Sequence, residues 1–294
     1  MSVLALPATV TEHRPRYEGA NIRTWIGFKH FMYLVEEAVL DWLRAYTPGA
    51  RGLYLDCGLG VEIVDCSVQL PATLEVDDLV RARVTATHPG RFAVTLHAVR
   101  DGAEVLVLRG KVAIALVRET DSPGGGPIAV GAELLPEPTP ELRLAAPPGP
   151  VGGFGWSWPA PYYYCHFSDR VQHSGYVRVL EEAVDRYLAH RGISVGRLVR
   201  ERGWIPVVSR ARVRLLAAAH MEEVVHTTFT VEDVLRDTLF DGRMDSYVER
   251  GGERIHVATA SILHGYAISR GPDAGRPATL DTEVIDALLG SDAP

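Results

Sequence analysis

The 294-residue sequence predicts an α+β protein built from two copies of one unit, each a long helix followed by about four antiparallel strands. Three observations lead there. Segments recur at an offset of 145: Glu36-Glu37-Ala38-Val39 returns as Glu181-Glu182-Ala183-Val184, and Val68, Leu70 and Ala72 return as Val213, Leu215 and Ala217. Asp77-Asp78-Leu79-Val80 likewise returns as Glu222-Glu223-Val224-Val225. One offset held over so long a stretch marks a duplicated unit. The second observation is helical periodicity, and the third is the two-residue alternation that follows it.

The elements follow in order. The first copy opens on a helix over residues 30–46, the second on a helix over 174–191. In the latter, Val177, Leu180, Val184 and Leu188 form an apolar stripe, and Gly192 supplies the stop. Strands follow at 81–87 and 92–99, and again at 224–233 and 256–268, where β-branched residues alternate with polar ones. Asp101-Gly102 and Gly251-Gly252 mark turns. Each helix stripe needs an apolar face to cover it, so a curved sheet wrapped on a central helix is the simplest packing. The Pro/Gly-rich stretch 121–157 reads as a linker between units spanning 1–120 and 158–294.

Composition narrows the function. Asp and Glu number 37 against 30 Lys and Arg, a net charge of −7, which argues against a nucleic-acid partner. No apolar run reaches the roughly 20 residues that span a bilayer, and no basic n-region precedes the short apolar run at the amino terminus. Cys57, Cys66 and Cys165 form no CxxC pair, so neither a disulfide framework nor a metal site is expected, and a cytoplasmic setting fits. No cofactor motif is present.

The segment 163–183, YYYCHFSDRVQHSGYVRVLEEA with its preceding tyrosine, carries the chemistry. It resembles the signature of hotdog-fold acyl-thioester hydrolases of the 4-hydroxybenzoyl-CoA thioesterase type, over about residues 160–268 and, by duplication, most of 20–118. The resemblance implies a tandem (double) hotdog and a site formed between two units. It places His173, Ser174, Gly175 and Tyr176 at the loop-to-helix junction, where free N–H groups and the helix dipole suit a developing oxyanion. The same residues also suit an ordinary helix start with Ser174 as its cap. The family's catalytic Asp would fall at residue 166, which is His166 here. His166 is therefore a candidate general base, and Asp169, three residues on, is another.

Glu181 and its repeat Glu36 fall on the apolar stripes of their helices, where a lone carboxylate costs several kcal/mol unless it is paired. Related enzymes use a helix Glu as base or nucleophile, so the resemblance makes Glu181 a catalytic candidate and Glu36 a substrate-binding one; a structural carboxylate is the alternative. At the first junction Phe28 replaces His173, so that repeat is the degenerate one, with Lys29 and His30 as contributors or as a plain helix start. Arg210, Arg212 and Arg214 alternate along a strand and share one face, a candidate dock for the phosphates of CoA or an acidic acyl carrier protein; Arg197, Arg200 and Arg202 would extend it. Trp156, Trp158 and Tyr162 to Tyr164 line the site mouth or pack the linker.

Three functions follow. The leading one is hydrolysis of an acyl-CoA or acyl-carrier-protein thioester of fatty-acid or polyketide-type metabolism. The second is addition of water or an amine such as glycine to an α,β-enoyl thioester. The third is non-catalytic acyl-thioester binding. The resemblance also leaves room for a homo-oligomer of double units.

Overall fold

The structure is a computed structural model and describes residues 6–145 and 153–290. The first half comprises β1 (Thr9–His13), α1 (Phe28–Tyr46), α2 (Gly49–Cys57), β2 (Leu59–Gln69), β3 (Leu79–His88), β4 (Arg91–Arg100) and β5 (Ala103–Arg118). The second comprises β6 (Phe154–Pro159), α3 (His173–His190), α4 (Val195–Arg202), β7 (Trp204–Leu215), β8 (Val224–Leu235), β9 (Leu239–Arg250), β10 (Glu253–Ile268) and α5 (Thr282–Leu289). All strands join one antiparallel sheet in the order β1-β3-β4-β5-β2-β7-β10-β9-β8-β6. The halves meet where β2 pairs with β7, Asp65 opposite Arg214 through Gln69 opposite Arg210. This is a double hotdog: each half-sheet curls around its own long helix.

The offset of 145 aligns the starts of β1 and β6, α1 and α3, β2 and β7, and β3 and β8. It widens to 150 at β5 and β10, mainly because β8 and β9 are each two residues longer than β3 and β4, with one more residue in the β8–β9 connection. The cores follow from the helix stripes. Val35, Ala38, Val39 and Trp42 are sealed from solvent on α1, and Trp42 meets Phe92 of β4 edge-on at 4.8 Å. On α3, Tyr176, Val177, Leu180 and Leu188 do the same. Full burial of one such side chain contributes about 1.5–3 kcal/mol. The predicted turns close two-residue hairpins, with Asp101 and Gly102 at φ 50° and 77° and Gly251 and Gly252 at 60° and 82°. Two successive left-handed residues match the right-handed twist of the flanking strands.

Each half has five strands rather than four, and one precedes the helix. β6 begins within the stretch expected to be linker, at Phe154, and runs two residues past it. Its Phe154, Trp156 and Trp158 are half-buried and alternate with exposed neighbours, and the Trp158 indole donates to Thr227 Oγ1 at 3.0 Å. These tryptophans therefore pack a strand onto β8. The end of the first linker segment is also fixed: Thr139 bridges to Val117 of β5, Arg143 to Ala217, and the Leu144 N–H donates to Leu216 at 2.7 Å. The rest of the linker between 146 and 152 lies outside the described residues.

Candidate functional site

The two long helices cross antiparallel at the centre of the molecule. Arg178 of α3 donates to the Tyr33 hydroxyl of α1 at 2.6 Å, and these two positions are repeats of each other. The crossing turns the middle of each helix toward the first turn of the other. His173 begins α3, and no side chain caps that end. The Gly175 N–H donates to the Gln172 carbonyl at 3.0 Å, while the N–H groups of His173 and Ser174 lack intrahelical acceptors, as at any helix start. Opposite them stands Glu36 of α1.

A cavity of about 410 Å³ occupies this position, a size suited to a small-molecule site. Glu36 and Leu40 of α1 form one wall and Val61, Glu62 and Ile63 of β2 another. His166, Phe167 and Gln172 of the loop before α3, with His173, complete it. The mouth carries Arg44 and the start of α2 through Arg51.

Burial controls the charges. It pushes the Glu36 carboxyl up to about 7, with Glu37 and Glu62 adding to the rise and Arg178 opposing it. It lowers His173 to about 4, against a stabilising contact of the ring with the Val213 carbonyl. The imidazole is thus neutral at pH 7, and its Nε2 is buried without a protein partner. Burial also lowers His166 at the cavity rim, with Arg178 adding to the effect. Glu62 is held by Arg170, which donates from Nε at 3.1 Å and from Nη2 at 3.0 Å. Burial still raises Glu62 to about 7.

Of the residues singled out from sequence, the structure gathers His166, His173 and Glu36 around this cavity. It separates two others from it. Glu181 lies two turns beyond His173 on the same helix and faces the first turn of α1, where it pairs with Lys29 at 2.8 Å. Asp169 pairs with His220 at 3.0 Å and lines a neighbouring cavity of about 300 Å³, beyond Phe167. Ser174, Gly175 and Tyr176 sit in the first turn of α3, buried against the protein rather than on the cavity wall; a Cβ on Gly175 would stand 3.2 Å from the Tyr164 ring.

Glu62 was missed, although a signal for it exists. It shares strand parity with Val64, Cys66 and Val68, all buried, so it lies on the apolar face of β2. This is the same anomaly that singles out Glu36 and Glu181 on their helices.

Arg210, Arg212 and Arg214 share one face as predicted, but that face is the outside of the sheet, remote from the cavity wall. Arg212 pairs with Asp65 at 2.6 Å. Register lines up Lys111, Ser67, Arg212, Ser261 and Arg243 across five adjacent strands, with Arg109, Gln69 and Arg210 in the next row. Arg197 and Arg202 do not extend this patch, because they pair with Glu201, Asp281 and Glu283.

Residues 160–288 match the sequence model of the Thioesterase-like superfamily. No curated protein matches the chain. Among solved structures, the chain is similar to a 12:0-ACP thioesterase from Umbellularia californica, with a TM-score of 0.61 and 11% identity over 92% of this chain and 94% of that one. It is also similar to an acyl-ACP thioesterase from Bacteroides thetaiotaomicron, with a TM-score of 0.54 and 10% identity over 87% of this chain and 97% of that one. At such identities the likeness establishes a shared double-hotdog fold. No helix among the described residues is long and apolar enough to cross a membrane.

Proposed function

We propose that this double hotdog hydrolyses an acyl thioester, delivered as acyl-CoA or on an acyl carrier protein, in the cavity between Glu36 and the start of α3. One observation carries the reading: a helix amino terminus and a half-buried carboxyl with no hydrogen-bond partner among the described residues, contributed by different halves, line the same cavity. The thioester carbonyl oxygen accepts from the N–H groups that begin α3, at His173 and Ser174, which oppose the charge that develops there. Glu36 takes a proton from water as its oxygen attacks the carbonyl carbon. Neutral His173 lines the cavity at the start of α3 and adds no charge to it. His166 and Gln172 complete the polar rim. The outer face with Arg210, Arg212 and Arg214 serves as the dock for an acidic carrier protein, since register gathers Lys111, Arg109, Arg210, Arg212 and Arg214 there on an otherwise acidic chain.

A specific departure favours a second reading. With His166 where the family has Asp, a His and a Glu from opposite halves are the facing groups, which suits proton transfer at the α-carbon of an enoyl thioester. Incubation with saturated and α,β-enoyl thioesters, with and without glycine, followed by product masses, tests both. Free acid and thiol from the saturated substrate support hydrolysis. Adducts without free acid replace it with addition, and binding without turnover of any thioester removes both.

A further inference from the structure

We propose that Glu62 is a second carboxyl of the reaction, the acid that protonates the departing thiolate, and that Arg170 and Glu119 position it. This inference rests on the hydrolytic reading.

The geometry distinguishes the two carboxyls on Arg170. Glu119, the residue after β5, takes the guanidinium fork with both oxygens: Nη1 donates to Oε2 at 2.9 Å and Nη2 to Oε1. Glu62 is bonded through Oε1 alone. No protein group among the described residues bonds Oε2 of Glu62, and the residue lines the cavity. A bidentate pair is the tighter arrangement, so Glu119 is the permanent carboxylate. It compensates most of the Arg170 charge, which leaves Glu62 able to hold a proton. Gly60 makes room for this cluster, since a Cβ there would run into the Glu119 carboxylate and stand 2.8 Å from Arg170 Nη2. The sequence therefore spends a glycine and a buried cation on one cavity carboxyl.

The groups facing Glu62 are Arg170 from the loop, Glu119 just past β5 and Glu36 from α1, with Cys165 and Tyr176 also within electrostatic reach. The two carboxyls line one cavity and burial raises both, with Glu62 adding to the rise at Glu36. The reaction then balances. Glu36 accepts a proton from water as the new C–O bond forms. The tetrahedral intermediate collapses, the C–S bond breaks with its electron pair on sulfur, and Glu62 gives its proton to that sulfur. The pair resets when the proton on Glu36 returns to Glu62, directly or through solvent.

The test uses the leaving group. An alkyl thiolate, such as that of CoA, needs protonation as it leaves, whereas an S-aryl thiolate departs without it. Glu62→Gln keeps the volume and the oxygen that faces Arg170. Turnover of an acyl-CoA is expected to fall about 100-fold, with the S-aryl ester of the same acyl group losing less than about 5-fold. The alkaline decline of kcat should vanish as well. Equal losses on both esters, or a surviving alkaline decline, overturn the assignment. Glu119→Gln gives an independent reading should Glu62→Gln not fold. It leaves Arg170 uncompensated beside Glu62, so the alkaline limb should move to lower pH, and a limb that stays or moves upward overturns the role. Wild-type protein that hydrolyses neither ester overturns the hydrolytic reading itself, an outcome distinct from the two above.

Discussion

The two helix junctions are built on one backbone and do opposite things. At the start of α3, His173, followed by the buried Ser174, meets Glu36 across an open cavity. At the start of α1, the repeat positions are Phe28 and Lys29, and they face Glu181. There the Lys29 ammonium reaches the carboxylate at 2.8 Å, where Ser174 leaves the corresponding space free. A single cation thus turns a carboxyl facing a helix end into a clasp between the halves. Without one, the same carboxyl keeps an elevated proton affinity and an unused pair of oxygens. What separates a candidate site from a structural contact here is the presence or absence of a counter-charge, since fold and helix register are shared.

The largest expected effect tests this directly. Glu36→Gln should lower acyl-thioester turnover by about 1,000-fold, whereas Glu181→Gln should change it by less than about 3-fold. Steady-state kinetics on one acyl-CoA reads both, and a reversed order would assign the chemistry to the wrong junction. Turnover by wild-type protein should rise as pH climbs toward 7, because Glu36 must lose its proton to act as base.

Stability should move the other way. Unfolded, Glu36 ionises from about pH 4.5; folded, it holds its proton to about 7. The folded chain therefore binds more protons in this window, and wild-type stability falls as pH rises through it. Glu36→Gln removes that cost, which is on the order of 2–3 kcal/mol above pH 7. The variant's Tm should exceed that of wild type by about 5 °C at pH 8, with the gap closing by pH 4.5. Equal Tm values at pH 8 would mean that Glu36 has a partner.

At the clasp, Lys29→Ser should cost no more than about 1 kcal/mol, a drop of roughly 2–4 °C in Tm, because both side chains remain partly exposed at 27% and 34%. The smallest effect concerns substrate delivery. Replacing Arg210, Arg212 and Arg214 by Glu should raise KM for a carrier-linked acyl chain several-fold more than KM for the same chain on CoA. Equal changes would remove the carrier dock.

The repeat made most of this legible. It located both helices, the strands beginning at β3 and β8, and the pair of misplaced helix carboxylates. β1 and β6 escaped because one is five residues long and the other sits beside a Pro/Gly-rich stretch. β9 escaped because Gly242 and Ser246 interrupt the apolar series Phe240, Met244 and Val248 on its inner face. The pairing of Glu36 with His173 was not legible either. Sequence proximity joins His173 to Glu181, eight residues along one helix, whereas the antiparallel crossing sends Glu181 to the other junction. Only the tertiary arrangement decides which helix end meets which carboxyl.

The stitching of residues 139–144 to both β5 and the end of β7 has a consequence for symmetry. Two identical, separately made units related by a two-fold axis must carry identical junctions, so any change that closes one closes both. A covalent tether lifts that constraint. It allows Lys29 to appear on one copy while Ser174 stays on the other, and it fixes the stoichiometry at one open cavity for every two hotdog units.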